Sequence, residues 1–562
     1  MSRGRSLKLV LLLLAALTFA LVAASCGGDD DEGAGEGGTL VFAGAADPVV
    51  IDGALVSDGE SIRVITQIFE TLVGLKAGTT EVEPVLAESY EVNDDATVFT
   101  FKIREGVTFH DGTDLDAAAV CFNFDRWYNF KGPLQSASAS YYWQAFFGGY
   151  AKNESEDLSP SLYKSCTMPD PMTAVITLTK PSASMLAALT QQAFSIASPE
   201  ALQQYNADQG TLDEETGFRP TGTFGTEHPI GTGAYKFESW TREDRLVLTR
   251  NDDYWGEKAK LEEVIIRPIA DNAARLQALQ NDEIQGYDLV EPQDVPTIEG
   301  DDSLKIVERP AFNVAYVTIN HAMKPMDNPL VRQAIAHGLD RESVVQNFYG
   351  GRAVVAKEFM PPEVVGYADD VKEYPYDPEK AKQLLQQAGL TLPVKIDFWY
   401  PSDVSRPYMP DPKRNFEGFR RSLEQSGFEV TPHTAPWDPD YLGRLDEGNA
   451  GHLNLIGWTG DFADADNFIG VFFQSFSPQW GFRNQEIFDI LDRAEAEADP
   501  AERERLYQEA NRMIMEFLPG VPYAHSEPAL GFRADVQGYV PSPTTNEEFA
   551  SVSFGEEEEG GE

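Results

Sequence analysis

The chain is too long to fold around one hydrophobic core. It has 562 residues, whereas single cores stop growing near ~250–300 residues and longer chains divide into separate units. Its 42% hydrophobic and 11% aromatic residues supply enough apolar material for large cores, which disfavours wholesale disorder. We therefore expect a globular protein with two or three lobes.

The charge balance argues against one large class of partner. The chain has 91 acidic and 44 basic residues, and its net charge is −47. Nucleic-acid binding needs clustered Lys and Arg, so nucleic acid is not expected as a partner. The acidity favours solubility and mutual repulsion. Steering of cationic ligands is the alternative, and salt screening weakens it beyond ~8 Å.

The amino terminus has the pattern of an export signal. A basic region with Arg3, Arg5 and Lys8 precedes the apolar run 9–22. That run is too short to span a bilayer comfortably, and the pattern is typical of a targeting segment that is not part of the fold. We predict a signal peptide over residues 1–25.

The residues that follow resemble a bacterial lipoprotein box. Small residues lead into Cys26, and a Gly/Asp-rich stretch continues the chain. We expect lipidation of Cys26, a tether over 26–38, and a protein held at the outer face of the bacterial cytoplasmic membrane or on the periplasmic side. Ala23 departs from the box, where a bulky aliphatic residue is usual, and an ordinary cleaved signal is the alternative.

Two cysteines remain after Cys26, namely Cys121 and Cys166. An exported chain meets oxidising conditions, which favours a disulfide between them, and two separate buried thiols are the alternative. No CxxC pattern or cluster of His accompanies them, so the sequence predicts neither a metal site nor a cofactor.

Hydrophobic periodicity predicts both strands and helices. The segment 38–45 reads as a strand, and 96–104 alternates apolar and polar residues with the period of a half-buried strand. Asp340, Asp377 and Asp499 each stand where they can cap a helix that follows with an apolar stripe. Two further stretches are predicted to be exposed: a polar insertion at 206–229 and an acidic tail at 556–562.

Five motifs, in order along the chain, carry a family resemblance. The resemblance extends over nearly the whole mature chain, about residues 39–550. Together these motifs strongly resemble the solute-binding proteins of peptide and nickel ABC importers, the oligopeptide/dipeptide-binding family 5. The motifs are LAESYEVNDDATVFTFKIREGVTFHDGT (86–113), PIGTGAYKFESW (229–240), NPLVRQAIAHGLDRESVV (328–345), SRPYMPDP (405–412) and GWTGDFADADNF (457–468).

The resemblance implies an α/β, two-lobed periplasmic-binding-protein-like fold of the class II type. An extra subdomain is inserted in the first lobe, and the ligand lies in the cleft between the lobes, which close about a hinge. It also implies an ABC permease in the membrane as partner, and we expect a monomer. The implied limits are 39–78, 192–311 and 520–555 for lobe I, 79–191 for the inserted subdomain and 312–519 for lobe II.

The resemblance also implies a ligand site that binds both ends of a dipeptide. In dipeptide-binding relatives an Asp of the GWTGD-like loop binds the ligand's ammonium, and an Arg of an RPY segment binds its carboxylate. The matching residues are Asp461 and Arg406, with Trp458 and Tyr408 as wall residues. A zwitterion in a dry cleft needs an opposite charge at each end, and the planar fork of Arg suits a carboxylate.

The distance between the two charged groups then sets the ligand's length. Two extended residues reach roughly 7 Å, and a hydrogen bond of ~2.8 Å at each end places the two head groups on the order of 10–13 Å apart. The backbone of 42–47, at the end of the first strand, is a further candidate for pairing with an extended peptide.

Each of these residues also has a plain structural interpretation. Arg406 could brace a loop or form a surface ion pair, Asp461 could bind backbone amides of its own loop, and Trp458 could pack in the core. Two positions depart from the family pattern, namely Ala465 and Met409, where relatives often have Pro and Asn. These departures make the dipeptide less secure than the family.

Other functions stay open at this point. An extracellular hydrolase could use the carboxylates of Asp461, Asp464 and Asp466, but acid–base pairs need opposed environments, and no GxSxG or HExxH pattern occurs. We therefore expect no enzyme. Within the binding class, the rival ligands are a longer oligopeptide, a nickel chelate, haem or an oligosaccharide, and a purely sensory role is a further alternative.

Overall fold

The computed structural model describes residues 37–213 and 217–555. The predicted signal peptide, the lipidation site Cys26, most of the tether and the acidic tail 556–562 lie outside the described residues.

Strands and helices alternate irregularly along the chain. Strands β1 to β23 are, in order, Thr39–Gly44, Val73–Leu75, Val82–Pro84, Ala87–Val92, Val98–Ile103, Tyr163–Asp170, Thr173–Leu178, Gly210–Asp213, Gly217–Pro220, Tyr235–Thr241, Arg245–Arg250, Glu263–Pro268, Gly286–Tyr287, Leu304–Glu308, Asn313–Ile319, Ala353–Val354, Val394–Pro401, Phe428–Ala435, Leu453–Thr459, Gly520–Ser526, Ala529–Arg533, Val536–Gln537 and Ser553–Phe554. The α-helices are Gly59–Ile68, Ala117–Tyr128, Ala137–Phe147, Met185–Ala188, Pro199–Gln204, Phe224–Glu227, Asn272–Gln280, Val295–Glu299, Pro329–Gly338, Arg341–Phe348, Pro378–Gln387, Pro412–Gln425, Leu442–Asp446, Ile469–Phe473, Gln485–Ala496 and Pro500–Phe517.

No helix within 37–213 or 217–555 combines the length and the apolar character that crossing a membrane requires.

The predicted helix starts are confirmed. The carboxylates of Asp340, Asp377 and Asp499 each accept a hydrogen bond from a backbone N–H three residues later. Such caps satisfy one of the backbone donors that the first turn of a helix leaves without a partner.

The two large sheets have separate hydrophobic cores. The first is seven-stranded, with the order β10-β11-β12-β1-β13-β21-β14, and its strand β1 runs parallel to both neighbours. The second is six-stranded, with the order β16-β20-β15-β19-β17-β18. Every residue of β15 and β20 is buried, which is expected of central strands covered on both faces. The predicted strand at 38–45 is confirmed as β1 in the first of these sheets.

A smaller antiparallel sheet, β4-β5-β7-β6, packs with the core of the seven-stranded sheet. The predicted alternation at 96–104 is confirmed, because Phe99, Phe101 and Ile103 of β5 are buried while the residues between them are more exposed. A disulfide joins Cys121, in the helix 117–128, to Cys166 in β6. The predicted disulfide is therefore confirmed.

The chain passes between the two large sheets twice, through 309–312 and through 527–528. The two crossing segments lie side by side, since the backbone N–H of Arg309 donates to the carbonyl of Pro528 at 3.0 Å. Short paired crossings of this kind are places where a two-lobed protein can bend.

One predicted domain limit disagrees with the strand pairing. The sequence predicts that lobe I includes 520–555, whereas the strand 520–526 lies between β15 and β16 in the six-stranded sheet. This strand forms backbone hydrogen bonds with a neighbouring strand on each side, so the chain passes to the other sheet only after Ser526. The other limits of the lobes and of the inserted subdomain stay predictions.

The exposed insertion predicted at 206–229 is wrong for part of its length. Residues 210–213 and 217–220 pair as a small two-stranded sheet, while Phe218 and Phe224 are buried in the core of the seven-stranded sheet. Two isolated aromatic residues in a polar stretch gave no periodic signal, although each has enough apolar surface to be drawn into the core.

A cluster of buried charges joins the first crossing segment to the seven-stranded sheet's core. Asp288 accepts from Arg63 at 2.7 Å and from both terminal nitrogens of Arg309, at 3.1 and 3.0 Å. Glu547 accepts from Nε of Arg309 at 2.6 Å. The two arginines hold the pKa of Asp288 well below its usual range, because they favour its ionised form.

Asp288→Asn should lower the free energy of unfolding by about 3–5 kcal/mol, because it leaves two buried guanidinium groups without their shared carboxylate. The native pKa of Asp288 is depressed, so its contribution is complete above the unfolded-state pKa of about 3.9 and is lost as the pH falls through the native pKa. Urea denaturation at pH 7 and at pH 2 measures both effects, because the contribution is complete at pH 7 and is being lost at pH 2. Glu502→Gln, which breaks an exposed pair with Arg505, is the control and should cost less than about 1 kcal/mol. Equal costs for the two variants would contradict the structural role of the cluster.

Candidate functional site

The motif GWTGDFADADNF begins in strand β19 and continues as a loop. Two of its glycines are required by close approach of other groups. A Cβ on Gly457 would lie 2.3 Å from Cδ2 of Tyr408, and one on Gly460 would lie 2.3 Å from Cε1 of Phe312. The first contact brings the SRPYMPDP motif against the GWTGD strand, and the second places the GWTGD loop against a crossing segment.

Asp461 is half-buried, and side-chain donors fix both of its carboxylate oxygens. The hydroxyl of Tyr142 donates to Oδ1 at 2.9 Å, and Nδ2 of Asn467 donates to Oδ2 at 3.2 Å. Burial raises the pKa of Asp461 to about 6, and the two hydrogen bonds oppose this effect. Among the residues that the structure describes, no Lys, Arg or His forms an ion pair with it.

Asn467 organises the loop around this carboxylate. Its Oδ1 accepts the backbone N–H of Asp461 at 2.7 Å and lies 3.5 Å from Nε1 of Trp458. The ring of Trp458 meets Phe472 edge-on at 5.8 Å and packs partly against the core of the six-stranded sheet. Trp458 thus contributes to the core and to the loop together.

Arg406 lies in a tight turn, where it exchanges backbone hydrogen bonds with Met409. Its guanidinium carbon lies 4.3 Å from the ring centre of Trp437, which is a cation–π contact. Its Nε is buried without a hydrogen-bond partner. Among side chains whose placement is described, no carboxylate lies within ion-pair distance of this guanidinium.

The turn that carries Arg406 is attached to the end of strand β20. The carbonyl of Pro407 accepts from the hydroxyl of Ser526, and the carbonyl of Tyr408 accepts from the hydroxyl of Tyr349 at 2.9 Å. Tyr408 itself is buried, and burial raises its pKa to about 12. These contacts fix the direction in which the Arg406 side chain leaves the turn.

Arg406 contributes to the wall of a half-open pocket beside the crossing segments. Residues from both sides of the crossing line this pocket, among them 289–290, 349, 352 and 526–529. Asp461, Trp458 and Tyr408 are not part of this lining. The structure therefore brings Tyr408 against the strand of Trp458, and it shows no hydrogen bond or ion pair between the described side chains of Arg406 and Asp461.

The two other aspartates of the loop have different surroundings. Asp464 forms a bidentate ion pair with Arg503, at 2.7 and 2.8 Å. Burial, followed by the charges of Asp464 and Glu495, raises the pKa of Asp466 to about 7. The pairing of Asp464 with Arg503 anchors the loop to the helix 500–517.

Sequence reasoning missed two residues of this site. Asn467 lies within the quoted motif, and its side-chain amide could have been predicted to hydrogen-bond a carboxylate of the same loop. Tyr142 is 319 residues from Asp461 in the chain, and no sequence spacing signals that contact.

The family model for bacterial extracellular solute-binding proteins, family 5, matches residues 81–479. The chain belongs to this family. The predicted family membership is thereby confirmed, and all five motifs that carried it lie within the matched region.

Curated relatives and solved structures agree with this assignment. The chain is 32% identical to a dipeptide-binding protein of Escherichia coli over 92% of this chain and 94% of the relative. It is also 32% identical to a haem-binding protein A of Haemophilus influenzae, over 92% of each. Among solved structures, the periplasmic binding protein DppA of Helicobacter pylori in complex with the peptide STSA shares 30% identity. Its TM-score is 0.76, and the match covers 92% of this chain and 98% of that one.

These similarities confirm the α/β, two-lobed fold. Equal identity to a dipeptide-binding and to a haem-binding relative means that overall similarity does not distinguish ligands, so the ligand has to be argued from the site. For metal ligands, no group of three or more His, Cys, Asp or Glu side chains within 37–213 and 217–555 is arranged to hold an ion.

Asp461→Asn should stabilise the protein at pH 8 by about 1–2 kcal/mol. The native pKa of Asp461 is about 6, above the unfolded value of about 3.9, so ionising the carboxylate costs stability above that range and costs nothing below about pH 4. The gain should therefore disappear at pH 4, as measured by urea denaturation.

Asp464→Asn is the matched control, because it lies on the same loop but is paired with Arg503. It should destabilise the protein at pH 8. Destabilisation by Asp461→Asn at pH 8 would show that this carboxylate serves the loop's own structure.

Proposed function

We propose that this protein is an extracytoplasmic receptor that binds a short peptide, with a dipeptide favoured, in the cleft between its lobes and delivers it to an ABC permease. The main support comes from two side chains of opposite charge, Asp461 and Arg406. Within the described residues, neither the carboxylate nor the guanidinium has an ion-pair partner. A ligand with one ammonium and one carboxylate supplies both partners.

The chemistry at each end fits this ligand. Asp461 is half-buried and uses one lone pair of each oxygen for Tyr142 and Asn467, which leaves further acceptor capacity for an ammonium. Arg406 is stacked on Trp437, which limits its rotamer freedom and keeps its planar fork open to a carboxylate. The expected separation of the head groups stays on the order of 10–13 Å, as a dipeptide requires.

The relatives include receptors for peptides and a receptor for haem, so the choice between these ligands depends on the site. A dipeptide-binding protein and a receptor solved with the peptide STSA are among them, and a haem-binding relative marks the main alternative. A carboxylate and a guanidinium that both lack an ion-pair partner among the described residues have no evident use with a neutral oligosaccharide. The proposed ligand-binding residues are Asp461, Arg406, Trp458 and Tyr408.

The remaining parts of the proposal concern the chain's place in the cell. We propose that residues 1–25 direct export, that lipidated Cys26 anchors the protein to the membrane and that 26–38 is a tether. The receptor acts as a monomer without catalysis, since its role is capture and delivery.

Asp461→Asn should weaken dipeptide binding by at least about 30-fold, because the ligand's ammonium loses its only ionised partner in a half-buried position. Isothermal titration calorimetry with Ala-Phe at pH 7.5 measures this loss, and N-acetyl-Ala-Phe should not bind the unmodified protein. Asp370→Asn, at an exposed pair with Arg512, is the control and should bind as the unmodified protein does. Affinity within twofold after Asp461→Asn would rule out the ammonium role.

Arg406→Lys should weaken Ala-Phe binding by about tenfold, because an ammonium cannot form the two parallel hydrogen bonds that a guanidinium offers a carboxylate. The same titration with Ala-Phe amide tests the role directly. The amide should bind the unmodified protein poorly, and Arg406→Lys should change its affinity little. Arg420→Lys, on an exposed face of the helix 412–425, is the control. A tenfold loss for the amide as well would assign Arg406 to bracing the turn.

A further inference from the structure

Tyr142 is the one side chain from the other core that bonds to the candidate ammonium-binding carboxylate in the described part of the chain. Its hydroxyl donates to Oδ1 of Asp461 at 2.9 Å, while Asn467 holds Oδ2 at 3.2 Å. We propose that Tyr142 is a positioning residue for Asp461, and that it makes capture of the ligand's ammonium depend on contact between the two lobes. This inference rests on the proposed function.

Tyr142 belongs structurally to the core of the seven-stranded sheet. It lies on the helix 137–147, whose Trp143 and Phe147 are buried in that core. Asp461 follows β19 of the six-stranded sheet, and its loop packs in the other core through Phe468. The hydrogen bond therefore joins two bodies that are linked covalently only by the crossing segments.

Other contacts align the two bodies at the same place. The ring of Phe146, on the helix of Tyr142, meets Phe462 edge-on at 6.1 Å, next to Asp461 in the loop. Farther out, Lys180 pairs with Glu495 at 3.0 Å. A bend at the crossing segments would separate these groups together, and Asp461 would then keep Asn467 but lose Tyr142.

The donor stays protonated wherever the carboxylate titrates. Burial and the charge of Asp461 hold the pKa of Tyr142 well above its usual value. The titratable groups that face Asp461 are Tyr141 and Tyr142 of the helix, and Asn467 is a further polar contact. The charge of Asp58 also acts on Tyr142, and that of Asp446 on Tyr141. Since the hydrogen bond from Tyr142 favours the ionised carboxylate, its removal should shift the titration of Asp461 upward.

The test uses Tyr142→Phe in the full chain, because phenylalanine keeps the ring and removes only the donor. Ala-Phe affinity is measured by calorimetry from pH 5 to 8, and the dissociation rate by stopped-flow. We expect affinity to fall about tenfold at pH 7.5, mostly through faster dissociation. The midpoint of the acid-side loss of binding should move upward by about half a pH unit or more.

Tyr141→Phe is the matched control. Tyr141 precedes Tyr142 on the same helix and contacts its ring at 5.2 Å, but its hydroxyl forms no hydrogen bond with a described residue. Because its hydroxyl makes no hydrogen bond with Asp461, Tyr141→Phe should change the affinity and the midpoint much less than Tyr142→Phe does. Circular dichroism and thermal melting confirm that both variants fold.

Three results would overturn the inference. Tyr142→Phe could bind within twofold of the unmodified protein, or bind more weakly with an unchanged pH midpoint, or match Tyr141→Phe in every measurement. In each case the unmodified protein would still bind Ala-Phe and reject its N-acetyl form, so the proposed function would stand. If the unmodified protein bound no dipeptide, the proposed function and this inference would fail together.

Discussion

The two crossing segments support both halves of the candidate site. Gly460, next to Asp461, donates its backbone N–H to the carbonyl of Phe312 in the first segment at 2.9 Å. Ser526, at the start of the second crossing, donates its hydroxyl to the carbonyl of Pro407, next to Arg406. The side chain of Asn313 joins the two crossings through the backbone of Ser526. A change in the angle between the two sheets would therefore move the segments that carry Asp461 and Arg406.

Buried ion pairs around Arg309 hold the first crossing segment against the core of the seven-stranded sheet. The guanidinium of Arg309 binds Asp288 and Glu547, and its own backbone bonds to Pro528. Buried ion pairs are poor sources of net stability compared with apolar packing, but breaking one is costly, so they fix geometry. The first segment is thus anchored to the seven-stranded sheet at Arg309.

At the candidate site, in contrast to the paired charges around Arg309, one half-buried carboxylate has no cationic partner among the described residues. Asp461 carries a raised pKa and lacks a cation within the described chain, whereas Asp464, three residues later, is neutralised by Arg503. The paired carboxylate stabilises the loop, and the unpaired one is held at a cost to stability that a bound cation would relieve. This contrast supports the proposed binding role of Asp461, on which equal identity to dipeptide-binding and haem-binding relatives gives no information.

The sequence alone determined the family, the α/β character, the helix starts at Asp340, Asp377 and Asp499, and the disulfide partners, because local patterns and ordered motifs carry that information. It also nominated Asp461 and Arg406. Only the tertiary structure decided that β20 joins the six-stranded sheet, that Phe224 enters the core and that Tyr142 reaches Asp461. These contacts join residues far apart in the chain, and burial and hydrogen bonding select them only after the sheets have packed.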